Sequence, residues 1–259
     1  MDNQRFLSLE GIHNWRDYGG YAVMGGGCIR RGLLWRGGHQ ARATDADLLR
    51  LGDLGLAHVI DLRGSTERGR HPSRRPYGWR GELHEYDGET AQLAPHVEAA
   101  QNALDEQSAR ATMTKLYADL PQREALNAML RRYFAVLARG DGPSVVHCAA
   151  GKDRTGMAVA LLHHLLGVSR ADAMADFLLT NSAPDNDRRI GEGMALLGKR
   201  YGRIDRPVAE ILMSVEPGYL EAAWQAMERA EGSIDAYLHR RLGVDETMRA
   251  ALRLHLVES

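Results

Sequence analysis

The sequence has few cysteines, few lysines and no long apolar run. Two cysteines, Cys28 and Cys148, are too few for a disulfide framework, which favours a reducing compartment. No stretch approaches the roughly 18 apolar residues of a membrane-spanning helix. Residues 1–15 lack the basic and apolar regions of a secretory signal. We therefore expect a cytoplasmic protein without a membrane span, with signal-independent export left open.

The chain also lacks an excess of charge of either sign. Its 259 residues include 33 Lys and Arg against 34 Asp and Glu, which gives a net charge of −1. This balance argues against the broad basic surface of a nucleic-acid-binding protein, so we expect no nucleic-acid partner. The balanced net charge is still compatible with a local basic pocket. The hydrophobic content of 44% is that of an ordinary globular protein.

Strand-like segments alternate with helical ones until the chain becomes almost wholly helical over 169–257. The apolar runs at 57–63 and 143–147 are typical of buried parallel strands, and 83–86 predicts a further strand. No internal repeat divides the chain. The pattern predicts a single α/β domain over residues 1–259, with a central, mostly parallel sheet flanked by helices and a helical C-terminal portion.

Residues 147–156, His-Cys-Ala-Ala-Gly-Lys-Asp-Arg-Thr-Gly, contain the most informative motif. They lie between a predicted strand and an apolar helix that we expect to begin at Thr155. Successive backbone N–H groups at a helix N-terminus concentrate positive potential and bind anions. The small residues Ala149, Ala150 and Gly151 let that backbone approach a ligand closely. We expect this loop to bind anions such as phosphate and vanadate.

Cys148 lies at the base of this loop, where the same positive potential stabilises a thiolate. A free cysteine titrates near about 8.5, and such surroundings lower that pKa by several units. Arg154, six positions later, can donate two parallel N–H groups to phosphate oxygens. A thiolate nucleophile beside an anion receptor indicates phosphoryl transfer through a phosphocysteine.

Other motif classes do not fit the spacing. A Walker loop needs glycine where Val146 stands, and Ser or Thr where Asp153 stands. The chain has no C-x-x-C pair, no H-E-x-x-H zinc helix and no G-x-S-x-G elbow, so we predict no metal and no cofactor. The alternative is that Cys148 is an ordinary buried small residue, which the strand, glycine and helix around it disfavour.

The motif HCAAGKDRTG resembles the active-site signature of cysteine-dependent protein tyrosine phosphatases. More narrowly, it is similar to the atypical bacterial group of tyrosine and dual-specificity phosphatases with G-K-D-R loops. The resemblance extends to residues 9–20 and 34–37, and to Asp61-Leu62-Arg63 with Glu67. It implies a dual-specificity-phosphatase-like fold over most of the chain.

The resemblance also implies roles for the loop residues. Cys148 would be the nucleophile and Arg154 the phosphate clamp, while the backbone amides from Ala149 onward would hold the phosphoryl oxygens. Thr155 would hydrogen-bond to the thiolate and help it leave. His147 would support the loop from behind and lower the pKa of the thiol, rather than act as a base.

Two aspartates are candidates for the general acid that a leaving alkoxide or phenoxide requires. Asp153 lies inside the loop, and the G-K-D-R group is thought to use this position, which favours it. Asp87 ends a predicted strand upstream of the nucleophile, where dual-specificity phosphatases place their acid. The alternative for Asp87 is an ordinary turn aspartate before Gly88.

Two further regions could shape the site. The helical stretch 90–120 resembles the lid inserted in this bacterial group, and a lid would exclude water and restrict substrate access. Two short amphipathic helices that complete the core would leave the same pattern. Arg16, Asp17 and Arg36 are candidates for bracing the loop, with structural salt bridges as the alternative.

Together these features predict a metal-independent phosphoric monoester hydrolase that acts on phosphotyrosine in proteins, with phosphoserine and phosphothreonine as further candidate substrates. The alternative is a phosphoinositide phosphatase, because Lys152 would add charge at the rim of the pocket, as in lipid-phosphatase loops. A catalytically inactive phosphate-binding module would also keep Arg154, but the retention of Cys148 argues against it.

Overall fold

A five-stranded sheet forms the centre of the computed structural model, which describes residues 5–90, 105–184, 186–201 and 205–259. The strands in chain order are β1 (Arg16–Asp17), β2 (Cys28–Ile29), β3 (Leu34–Gly37), β4 (His58–Asp61), β5 (Glu82–Glu85), β6 (Ser144–His147) and β7 (Val257–Glu258). The spatial order of the main sheet is β1-β3-β6-β4-β5. In this sheet β1 is antiparallel to β3, and the other neighbours are parallel. A separate pair joins β2 to β7.

Helices cover both faces of the sheet and form most of the C-terminal portion. The described helices are α1 (Asp45–Asp53), α2 (Ser65–Arg70), α3 (Glu106–Asp119), α4 (Glu124–Arg139), α5 (Asp153–Leu166), α6 (Arg170–Leu178), α7 (Asn186–Tyr201), α8 (Arg206–Met213), α9 (Pro217–Glu231), α10 (Ile234–Leu242) and α11 (Glu246–Leu256). The predicted α/β class, with a mostly parallel sheet and late helices, is confirmed.

The central strands β4 and β6 are apolar because both of their faces are covered. All four residues of each strand are buried. On one face Ile60 and Val146 belong to the large core that the C-terminal helices complete. On the other, Val59 and Val145 pack with Trp15 in a smaller core. The sheet therefore holds the end of β6, where the 147–156 loop begins, in the middle of the molecule.

Helix α5 follows that loop and is buried along its whole length except at His164. A helix that is apolar on all sides belongs in a core. It begins at Asp153, two residues earlier than predicted, and ends before Gly167, whose φ of +87° gives the left-handed conformation common after a helix. None of the helices in the described ranges is long and apolar enough to cross a membrane.

The predicted lid at 90–120 falls partly on 91–104, which lie outside the described residues. Its described part forms α3, capped by the Asp105 side chain, which accepts a hydrogen bond from the Ser108 amide. One face of α3 belongs to the main core, next to α9. The buried residues of that face are Ala109, Met113, Leu116 and Tyr117. The lid and the single domain over 1–259 stay predictions.

Candidate active site

The 147–156 loop turns sharply at Gly151, where it crosses the end of β3. Gly151 has a φ of +67°, which favours glycine. A Cβ atom at this position would lie 2.3 Å from the carbonyl carbon of Gly37 and 2.7 Å from the amide nitrogen of Gly38. Glycine is therefore required here both by the backbone conformation and by the close contact between loop and strand.

Three carbonyl groups of the loop, those of Ala149, Gly151 and Lys152, accept hydrogen bonds from the protein. Ala149 O accepts from the His39 amide at 3.1 Å, and Lys152 O accepts from Gly156 N at 2.8 Å. For the amides of residues 149–152, the described part of the chain supplies no acceptor. A loop that bonds its carbonyls to the protein and leaves its amides without acceptors can bind an anion.

Behind the loop, the Gly151 carbonyl accepts two hydrogen bonds, from Asn14 Nδ2 at 2.9 Å and from the Arg36 guanidinium at 3.0 Å. Arg36 also donates to Asp176 Oδ2 at 2.6 Å. Arg16 donates to the Asp176 backbone oxygen at 2.8 Å, and its Nε lies 3.4 Å from Oδ1. These bonds fix the position of the peptide group at Gly151.

Two buried guanidinium groups thus share one buried carboxylate. Burial would raise the pKa of Asp176, but the charges of Arg16 and Arg36 outweigh it and hold that pKa well below its usual range. Burial and the neighbouring Arg36 lower the pKa of Arg16 to about 10. Of the three bracing candidates, Arg36 contacts the loop directly and Arg16 acts through Asp176. Asp17 instead accepts from the amides of Gly19 and Gly32, outside the loop.

In front of the loop, Cys148 is buried at the end of β6. The guanidinium of Arg154 makes a bidentate ion pair with Glu67, at 2.6 and 2.8 Å. One of its nitrogens also donates to the Leu62 carbonyl and to Thr90 Oγ1, each at 3.2 Å. Its Nε has no acceptor within the described ranges. The guanidinium is therefore oriented in advance. Its Nε–H and the second N–H of Nη2, which donates only to Glu67 among the described residues, are available to a ligand.

Glu67 and Arg154 stabilise each other's charged form. Burial would raise the pKa of Glu67, but Arg154 lowers it below its ordinary value. Burial also disfavours the charge on Arg154, while Glu67 and then Cys148 raise its pKa. In the sequence, Glu67 stands out only through the resemblance to the phosphatase family. Its position three residues into α2, 87 residues before Arg154, gave no local signal of this contact.

The two candidate acids occupy different environments. Asp153 is buried, and its Oδ1 accepts from Tyr117 Oη at 2.8 Å and lies 3.3 Å from Lys152 Nζ. Asp87 is exposed two residues past β5, and it makes no hydrogen bond or ion pair with the part of the chain that the structure describes. The structure therefore brings Asp153, but not Asp87, into the network of the loop.

The expected position of Lys152 at the rim of the pocket is wrong. Its side chain is completely buried, and Nζ donates to the carbonyl oxygens of Leu212 at 2.6 Å and Ser214 at 3.0 Å. These oxygens lie at and just beyond the C-terminal end of α8, where helix carbonyls lack internal partners. The lysine therefore fastens the loop to the C-terminal helices.

His147 and Thr155 flank the loop and are both buried. Burial lowers the pKa of His147 to about 4, so this imidazole is neutral at pH 7 and supplies no full positive charge to the thiolate. Its Nδ1 lies 3.3 Å from the Cys148 carbonyl, and its Nε2 lies 3.6 Å from Asp61 Oδ2. Thr155 Oγ1 has no hydrogen-bond partner among the described residues.

The chain is similar in sequence to known tyrosine phosphatases over most of its length. A model of the tyrosine phosphatase family matches residues 7–258. A protein of Cupriavidus necator named as a tyrosine-protein phosphatase is 36% identical over 250 residues, which cover 92% of this chain and 85% of the relative. The triple specificity protein phosphatase PtpB of Mycobacterium tuberculosis is 31% identical over 268 residues, covering 92% and 94%. A tyrosine-protein phosphatase of Nostoc commune is 28% identical over 228 residues, covering 83% and 71%.

Proposed function

The chain belongs to the tyrosine phosphatase family, and we propose that Cys148 and the loop around it hydrolyse phosphotyrosine through a phosphocysteine. The protein is a tyrosine phosphatase of the cysteine-dependent type and acts on phosphorylated substrates. The observation that carries the assignment of residues is the group of donors around Cys148. Loop amides that have no acceptor in the described ranges lie beside a guanidinium that Glu67 holds in place.

In the first step, the Cys148 thiolate attacks phosphorus, an S–P bond forms, and the P–O bond to tyrosine breaks. Arg154 and the amides from Ala149 onward bind the phosphoryl oxygens, whose charge they stabilise through the transition state. Asp153 gives its proton to the departing phenoxide. Its place inside the loop and its bond to Tyr117 favour it over Asp87.

In the second step, a water molecule attacks phosphorus and the S–P bond breaks. Asp153, now ionised, takes the proton of that water, and inorganic phosphate leaves. Thr155 would hydrogen-bond to the thiolate as it departs, and its hydroxyl has no other partner in the described ranges. His147 would hold the loop as a neutral imidazole.

Phosphotyrosine in proteins is the proposed main substrate, with phosphoserine and phosphothreonine accepted as well. A relative named for triple specificity matches 92% of this chain, which supports the wider range. The phosphoinositide alternative depended on Lys152 at the rim, and Lys152 is buried among backbone carbonyls. A cytoplasmic location, suggested by two cysteines in 259 residues, stays a prediction.

Hydrolysis of a phosphotyrosine peptide and a phosphoinositide panel, in the presence of a chelator, tests this proposal. The wild type should turn over the peptide, and vanadate should inhibit it. Cys148→Ser should lower kcat by at least about 10⁴-fold because the nucleophile is lost. Cys28→Ser is the matched control and should keep full activity. Bound vanadate without turnover of any substrate would indicate a binding module instead, and preference for the lipids would favour the alternative enzyme.

A further inference from the structure

Three possible metal ligands lie together at the end of the sheet opposite the 147–156 loop. His58 is the first residue of β4, Glu82 is the first residue of β5, and His84 follows two residues later. In the parallel register His58 pairs with Glu82. Side chains two residues apart on a strand point to the same face, so the three share one face of the sheet. One ligand atom of each lies within 4.8 Å of the other two.

The spacing of these atoms suits a shared metal ion. His58 Nδ1 lies 3.2 Å from His84 Nε2, which in turn lies 3.7 Å from Glu82 Oε2. Zinc binds histidine nitrogen and carboxylate oxygen at about 2.0–2.2 Å, and a tetrahedral angle then separates neighbouring ligand atoms by about 3.3 Å. The two ring nitrogens are therefore already separated as two ligands of one ion would be. On binding, the rings would exchange their mutual hydrogen bond for bonds to the metal, and Glu82 would move closer.

A second carboxylate orients the first ligand. Asp141 Oδ1 lies 2.7 Å from His58 Nε2, which directs the other ring nitrogen of His58 toward His84. Zinc-binding histidines are commonly held in this way by a carboxylate on the opposite nitrogen. Asp141 reaches this position because Gly140, with a φ of +65°, ends α4 and turns the chain back toward β6.

Arg139 holds Glu82 beside the two histidines. Its guanidinium donates to both Glu82 oxygens, at 2.8 and 2.7 Å, and to Asp141 Oδ2 at 2.8 Å. An ionised carboxylate offers about four lone-pair positions, so Glu82 can bind a metal while it stays bonded to Arg139. His58 is buried, whereas Glu82 and Asp141 are exposed and border a surface groove lined also by Trp79. The groove gives an ion a path to the site.

We propose that His58, Glu82 and His84 bind one divalent transition-metal ion, Zn²⁺ by preference, with Asp141 orienting His58. Two imidazoles and one carboxylate are a donor set for zinc rather than for Mg²⁺ or Ca²⁺, which prefer oxygen ligands alone. The site is separate from the 147–156 loop, and its ligands join the edge strand β5 to β4. The ion therefore stabilises the fold and leaves the hydrolysis metal-independent.

Zinc titration of the Cys28→Ser/Cys148→Ser protein, followed by calorimetry, tests the site without competing thiolates. One equivalent of Zn²⁺ should bind. Asp141→Asn should weaken binding about 10-fold to 100-fold, and His84→Gln should weaken it at least as much. His164→Gln is the matched control, because His164 also lies beside a carboxylate, Asp235 at 3.3 Å, but outside the cluster. It should bind zinc like the parent.

The melting temperature gives a second measurement that does not depend on activity. Zn²⁺ at 100 times its Kd should raise the melting temperature of the parent by about 5 °C or more, and this rise should disappear in His84→Gln. If His84→Gln fails to fold, Glu82→Gln can be used in its place, because it alters a ligand whose side chain is exposed. Absence of saturable zinc binding, or equal affinity in the parent and in all three cluster variants, would overturn the proposal.

Discussion

The front and the back of the 147–156 loop use the same kinds of group for different purposes. At the back, Arg16 and Arg36 share Asp176, and Arg36 holds the Gly151 carbonyl. At the front, Glu67 fixes Arg154, while the amides of residues 149–152 have no acceptor in the described ranges. At the back, hydrogen bonds among protein groups hold the conformation of the loop. At the front, the amides and the Arg154 guanidinium can donate to an anion. We therefore expect changes at the front to alter the rate, and changes at the back to alter stability.

Arg154→Lys is the strongest test of the front. Lysine keeps the charge but loses the planar group that Glu67 orients, so kcat/KM for a phosphotyrosine peptide should fall about 10³-fold, or about 4 kcal/mol. The circular dichroism spectrum should match that of the wild type. Arg170→Lys, at an exposed position, is the control and should be fully active. A loss below tenfold would mean that Arg154 does not clamp the phosphoryl group.

Asp176→Asn is the corresponding test of the back. Removing the carboxylate leaves two buried guanidinium groups uncompensated, which should cost about 3 kcal/mol of unfolding free energy in urea. The kcat per folded molecule should stay near that of the wild type. A large fall in kcat with unchanged stability would contradict the expectation that groups behind the loop act on stability and not on the rate.

The same variant has a defined pH dependence. The pKa of Asp176 is lower in the folded chain than the ordinary 3.8 of the unfolded one. Its contribution to stability is therefore complete above pH 3.8 and is lost as the pH falls toward the folded-state pKa. The stability difference between wild type and Asp176→Asn should be constant above about pH 5 and should shrink in more acidic solution.

Asp153→Asn sharpens the assignment of the acid at the front. Loss of the proton donor should lower kcat about 100-fold, or about 2.7 kcal/mol, on a phosphotyrosine peptide. The loss should be much smaller for an aryl phosphate whose leaving group needs no proton. Asp87→Asn is the matched comparison and should be almost fully active. If Asp87→Asn were strongly impaired and Asp153→Asn almost fully active, the general acid would be Asp87.

Tyr117→Phe should have the smallest effect, because it removes only the hydrogen bond to Asp153 Oδ1. We expect kcat to fall about tenfold, or about 1.4 kcal/mol, with KM unchanged. Tyr219→Phe is a matched control, since Tyr219 packs beside Tyr117 and its hydroxyl has no partner among the described residues. Equal rates for Tyr117→Phe and the wild type would show that this bond does not position the acid.

Patterns that are local in the sequence predicted the framework of the molecule. The apolar runs around Val59 and Val145 became the central parallel strands, and the loop motif lies between β6 and a buried helix, as predicted. Such strands are apolar because both faces are covered, so their composition alone reveals their place. The helix start was missed by two residues because the Asp153 carboxylate is compatible with the first helical turn.

Contacts between distant residues gave no comparable signal. Asp176 is an ordinary helix position by sequence, yet it balances two arginines more than a hundred residues away. The wrong position of Lys152 has a related cause. Neighbouring side chains at the entry to a helix point in different directions, and only the packed α8 shows which direction the ammonium takes.

Because the ammonium of Lys152 is buried, its chemical reactivity can be used to measure local unfolding around the loop. The protein has only three lysines, and both Lys115 and Lys199 are exposed. An amine-acylating reagent should therefore label those two at once, whereas Lys152 becomes reactive only when its bonds to the carbonyls at the C-terminal end of α8 break. The labelling rate at this one residue would measure how often the C-terminal helices detach from the loop, on the scale of local unfolding free energies.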